Sequence, residues 1–228
     1  MHLPRAKRTR IMVFPIGDDE TGDASTPFVT YALILINIVV FGLELSQGEP
    51  FIKQWAFIPK EFFAEPVSEA ATILTSMFMH GGWMHLIGNM VYLWTFGDNV
   101  EDNFGHVPFI IFYLLSGIAA MAAQAFLIPG SNVPNLGASG AIAGVLGAYV
   151  VMFPGGRVRL LTQAGIILVP SIIAIGFWIG LQLLSFAGEL GKSGEQGGVA
   201  YMAHIGGFFV GMALTLFFRN RSQPRIGV

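Results

Sequence analysis

Runs of roughly 20 apolar residues recur along the chain, and a helix of that length crosses the roughly 30 Å of bilayer hydrocarbon. They lie near 27–45, 82–97, 107–127, 138–153, 165–186 and 199–218. A large soluble core does not repeat that length. Only 11% of the residues are charged and the mean hydropathy is +0.64, against about 25% charged in soluble domains. The expectation is an all-α, polytopic membrane protein: six spans in a single domain over 27–218, a polar N-terminal tail over 1–26 and a short tail over 219–228. The second and fourth runs, about 16 residues each, are short for a full crossing, so function is sought there.

Arg5, Lys7, Arg8 and Arg10 precede an apolar stretch at 11–16 that is too short for a signal peptide and contains Pro15. The first span is expected to be retained. Nine of the 12 lysines and arginines fall in the N-terminal tail, after the fourth run and in the C-terminal tail. The positive-inside rule then puts both termini in the cytoplasm. Segments 46–81 and 187–198 face outward. The first, with Trp55, Phe57, Ile58, Phe62 and Phe63, reads as an amphipathic element at the interface, the alternative being an ordinary loop with scattered aromatics, and has no catalytic duty in either case. The second, rich in glycine, reads as a mobile flap over the site. The acidic loop 98–106 carries little orientation information.

Inside the six runs the only Asp, Glu, Lys or Arg is Glu44, at the outer end of the first. An aspartyl mechanism therefore lacks carboxylates, and an ion relay lacks its string of ionisable groups. With no cysteine, disulfides and thiol chemistry are excluded. His80, His85 and His204 remain. A lone histidine in a span is commonly a structural hydrogen-bonding residue, but these fall in a pattern. His85 and Asn89, four apart, share one helix face near the outer end of the second span. His204 lies just inside the outer end of the sixth, and Ser139 opens the fourth from the same side.

Ser139 sits in Gly137-Ala138-Ser139-Gly140 after a structure-breaking loop of Pro129, Gly130, Ser131, Asn132, Pro134 and Asn135. A first helical turn offers unpaired N–H groups and the positive end of the dipole to an oxygen gaining negative charge. A helix cap or a small packing residue also explains a serine there. Neither explains the histidine on another span. Serine needs a base to take its proton, and His204 is suited to that at neutral pH. No carboxylate is placed to orient the imidazole, so the site reads as a dyad held by packing, slower than a full triad. His85, Asn89 and the Ser139 backbone N–H are the candidate oxyanion donors. The pairs Gly140/Gly144 and Gly207/Gly211 permit close approach of the two helices that must meet.

These blocks, His80-Gly81-Gly82-Trp83-Met84-His85-Leu86-Ile87-Gly88-Asn89, Gly137-Ala138-Ser139-Gly140 and Ala203-His204-Ile205-Gly206-Gly207 with Gly211, resemble the rhomboid family of intramembrane serine proteases. They stand in the family's order on three spans. The resemblance implies a six-helix core, Ser139 as nucleophile, His204 as base, and His85 and Asn89 as oxyanion donors. His80, Gly137 and Gly140 are supporting positions. Two departures are notable. Ala143 stands where some members carry an aromatic against the catalytic histidine, so histidine positioning must come from elsewhere. Ala71-Thr72 stands where many members have Trp-Arg, which bears on anchoring of the first outward loop.

The implied reaction is hydrolysis of a peptide bond in or near a transmembrane segment of another protein. Such a helix must unwind to expose its carbonyl, which favours glycine, proline or small residues near the cut. A zinc hydrolase built on the histidines lacks a His-Glu-x-x-His motif and a carboxylate base. A soluble-type hydrolase would want glycine where Ala141 stands. A rhomboid-fold protein that binds membrane clients without cutting them is the non-enzymatic alternative. The expected partners are transmembrane substrates and the lipid bilayer, with no nucleic acid, no cofactor and no metal. The oligomeric state is not encoded legibly. Short tails and cytoplasmic positive charge lead to the expectation of a bacterial inner membrane.

Overall fold

The computed structural model describes residues 14–19, 25–189 and 200–220 of the chain. Six long helices fall on the six apolar runs: α1 (Phe28–Gln47), α5 (Trp83–Phe104), α6 (His106–Leu127), α7 (Ser139–Met152), α8 (Ser171–Glu189) and α9 (Tyr201–Phe218). Short helices α2 (Glu49–Trp55), α3 (Pro59–Ala64) and α4 (Thr72–Thr75) lie between α1 and α5. Four of the six, α1, α6, α8 and α9, are long and apolar enough to cross a membrane by length and composition. α7 has only 14 residues, yet all those from Gly140 to Tyr149 are buried. It is the central post, packed by α5, α6 and α9, so an all-round apolar sequence suits it. α1 and α8 lie at the edge and present Leu35, Ile38, Val39, Ile172, Ile173, Phe177 and Leu184 outward, as lipid-facing helices do. The protein is an all-α, polytopic membrane protein.

A small sheet departs from the sequence expectation. β1 (Phe14–Asp18), β2 (Arg157–Thr162) and β3 (Gly165–Pro170) form an antiparallel sheet in that order. The fifth helix therefore starts at Ser171 instead of 165, and part of the supposed N-terminal tail is a strand. The signal was the alternation Arg157-Val158-Arg159, with Val158 fully buried between two exposed arginines. Over six residues, Gly165–Pro170 has an apolar content that does not distinguish a strand from the head of a span. β1 closes the end of the bundle opposite Ser139. Pro15 O accepts from Thr95 Oγ1 at 3.2 Å, and buried Asp18 accepts from Tyr149 OH at 2.5 Å and Asn99 Nδ2 at 2.8 Å.

The acidic stretch 98–106 is mostly helix, since α5 runs to Phe104, and it has a definite task. Glu101, fully buried, accepts from the backbone N–H groups of Val29 and Thr30 at 2.9 and 2.7 Å and from Thr30 Oγ1 at 2.7 Å. Those donors are among the unpaired amides of the first turn of α1. His106 Nδ1 lies 2.6 Å from the same carboxylate. Asp102 adds bonds from Ser25 N and Oγ at 2.8 and 2.9 Å.

The segment 46–81 is also more than an interfacial element. Ala56, Phe57 and Ile58 are buried, and Phe57 bridges Asn135 in the loop ahead of α7, with Asn135 N–H donating to Phe57 O at 2.7 Å. Gly137 N–H donates to Ser76 O at 2.9 Å. This segment fixes the approach to Ser139. The expected flap falls mostly outside the described residues, as do the N-terminal basic cluster, Lys192, Arg221 and Arg225.

Candidate active site

Ser139 is the first residue of α7, and Ala138 occupies the cap position with no side-chain cap bond. The first amide inside the helix to bond back is Ile142 N–H, to Ala138 O at 3.0 Å. The amides of Ser139, Gly140 and Ala141 precede it and point out of the helix end. The Ser139 hydroxyl does not cap the helix. Its Oγ lies 2.7 Å from His204 Nε2, in the first turn of α9.

That distance rests on backbone contact between α7 and α9. A Cβ placed on Gly207 would meet the Gly140 carbonyl oxygen, and one on Gly211 would meet that of Gly144. The two pairs of small residues are in register, one turn apart on each helix. Gly140 also faces Ala120 of α6, whose Cβ lies 2.5 Å from where a side chain would begin.

The loop ahead of Ser139 is shaped by Gly137, at φ 130°, a conformation that glycine alone adopts readily. A Cβ there would lie 2.8 Å from both Cε1 and Nε2 of His85 and 3.6 Å from Ser139 Oγ. The His85 ring therefore edges the serine. His85 Nδ1 accepts from Gly81 N–H at 3.4 Å, which leaves Nε2 to carry the hydrogen on the side of Gly137 and Ser139. Asn89 is buried and donates from Nδ2 to His80 Nε2 at 2.9 Å. The His80 and His85 rings meet edge to face at 5.1 Å. The His80 backbone N–H is held by both oxygens of the Glu44 carboxylate, at 3.0 and 3.1 Å. Glu44, Asn89, His80 and His85 thus form one connected group beside Ser139.

Sequence reasoning left the imidazole of His204 with packing alone. The structure adds a polar partner: His204 Nδ1 lies 2.8 Å from Gln182 Oε1 of α8. One turn earlier on α8, the Trp178 ring lies 5.7 Å from the imidazole, tilted by 37°. Neither side chain is ionisable, so neither stands out in the sequence. The available signal was a long amide side chain inside an otherwise apolar span. Among the described residues no group of three or more His, Cys, Asp or Glu side chains is arranged to hold a metal ion.

A family model described as the Rhomboid domain matches residues 67–221. The chain is 34% identical over 193 residues to the rhomboid protease GluP of Bacillus subtilis, covering 83% of this chain and 35% of that one. It is 30% identical over 189 residues to rhomboid protein 1, mitochondrial, of Saccharomyces cerevisiae, covering 81% and 51%. It is also 31% identical over 147 residues to RHOMBOID-like protein 4 of Arabidopsis thaliana, covering 64% and 33%. The chain spans about half the length of these relatives or less.

Proposed function

The chain belongs to the rhomboid family, and from that premise we propose that it is an intramembrane serine endopeptidase, with 27–218 as its catalytic domain. The observation that carries this reading is the 2.7 Å contact between Ser139 Oγ and His204 Nε2, a hydrogen-bonding distance suited to proton transfer. His204 takes the hydroxyl proton as Ser139 Oγ attacks the scissile carbonyl. The oxygen of the tetrahedral intermediate is met by the Ser139 N–H, His85 Nε2–H and the free Asn89 hydrogen. His204 then protonates the departing amine, leaving an acyl-enzyme. Water hydrolyses it through the same two groups.

The substrates are transmembrane proteins whose helices unwind near the cut. Family membership supports that class, and GluP is named as a protease. Both termini share one side of the bilayer in this reading. The relatives include mitochondrial proteins as well as a bacterial one, so they give no support to the expected bacterial inner membrane over an organelle.

The test is fluorophosphonate labelling of the purified, detergent-solubilised chain beside Ser139→Ala and His204→Ala. Labelling of the wild type, lost in both variants, is the expected result. A folded wild type that stays unlabelled in detergent and in bilayers would turn the reading to client binding without cleavage.

A further inference from the structure

We propose that Gln182 is the positioning residue for His204, holding the imidazole in the tautomer that can act as a base. The inference rests on the protease reading and extends it to the group behind the histidine. For Nε2 to accept the Ser139 proton it must be bare, so the ring hydrogen must sit on Nδ1. A buried N–H without an acceptor is costly. His204 is buried, and the oxygen at its Nδ1 is Gln182 Oε1, 2.8 Å away.

The amide differs from a carboxylate in one respect. It fixes the tautomer and the ring plane but brings no negative charge to stabilise the imidazolium formed during attack. Gln182 is therefore a neutral third member. Trp178, on the same face of α8, lies near the ring as well. Together these two α8 residues supply the grip that Ala143, buried on α7, is too small to give.

The experiment compares wild type, Gln182→Leu and Gln182→Glu in the full chain, with two readouts. The first is the pH dependence of fluorophosphonate labelling. Gln182→Leu removes the acceptor and should slow labelling by roughly tenfold or more, against about 10⁴-fold for a misplaced tautomer in the serine–histidine–aspartate template. Gln182→Glu restores an acceptor and adds charge. It should label well and move the half-maximal pH of labelling upward, because a carboxylate beside the imidazole stabilises its protonated form and delays formation of the neutral base.

The second readout is histidine ¹⁵N NMR, with the His204 signals identified by their loss in His204→Ala. Wild type should show Nδ1 protonated and Nε2 bare, and Gln182→Leu should shift population toward the opposite tautomer. Equal labelling by Gln182→Leu, or equal losses in both variants with an unmoved pH midpoint, would overturn the proposal. So would an unchanged tautomer in a folded Gln182→Leu. If that variant does not fold, the Gln182→Glu midpoint decides alone. The NMR readout needs no activity, so an unlabelled wild type would defeat the protease reading while the role of Gln182 stayed decidable.

Discussion

Asn89 has two amide hydrogens and donates one to His80 Nε2 at 2.9 Å, which leaves the other for an oxygen at the site. His80, a supporting position in the sequence, orients Asn89 in the proposed mechanism. Asn89→Ala should slow fluorophosphonate labelling by roughly 10²-fold, the usual scale for one oxyanion donor. The thermal midpoint, measured in parallel, separates that effect from unfolding. At this scale the histidines, Asn89 and Ser139 were legible because charged or polar groups are rare in apolar runs. Gln182 was not read, since an uncharged amide looks unremarkable until its partner, 22 residues away in sequence, is seen beside it.

The pairing of α7 with α9 is the element-level condition for the proposed chemistry. Gly207 and Gly211 face the carbonyls of Gly140 and Gly144, and no side chain intervenes to yield. Gly211→Val should push the helices apart, at about 1–3 kcal/mol for overpacking. It should slow labelling by roughly tenfold or more, since misplacement by about 1 Å can cost about 10²-fold. Gel-resolved labelling rates and a melting curve check the two effects. The spacing of small residues announced this contact. The sheet went unread because the alternation in β2 is confined to Arg157-Val158-Arg159 and the apolar Gly165–Pro170 merges with the run behind it. The link from 46–81 to the serine loop runs largely through backbone bonds, Asn135 to Phe57 and Gly137 to Ser76, and those leave no mark in side-chain chemistry.

Across the whole molecule, the two ends of α7 do different work. Its first residue carries the hydroxyl proposed as nucleophile, and near its last turn Tyr149 OH reaches Asp18 of β1 at 2.5 Å. Ten residues of helix separate them by about 15 Å. Tyr149→Phe should therefore lower stability by about 1–3 kcal/mol while the labelling rate of the folded fraction holds steady, as thermal unfolding and labelling on one preparation would report. The six-helix plan was readable from run lengths alone. The closing of the end opposite Ser139 by β1 was not, because that contact joins residues 131 positions apart.

The meeting of Gly140 with Gly207 and of Gly144 with Gly211 has a consequence for descent. A Cβ at any of these positions meets atoms already in place, the facing main chain for Gly207 and Gly211 and the Ala120 and Ser116 side chains of α6 for Gly140 and Gly144, so few neutral paths lead through the contact. The lipid-facing residues of α1 and α8 meet no such barrier and can drift within the limits of hydrophobicity. Lineages sharing this arrangement should look unalike over most of their length and keep their kinship in a few small residues.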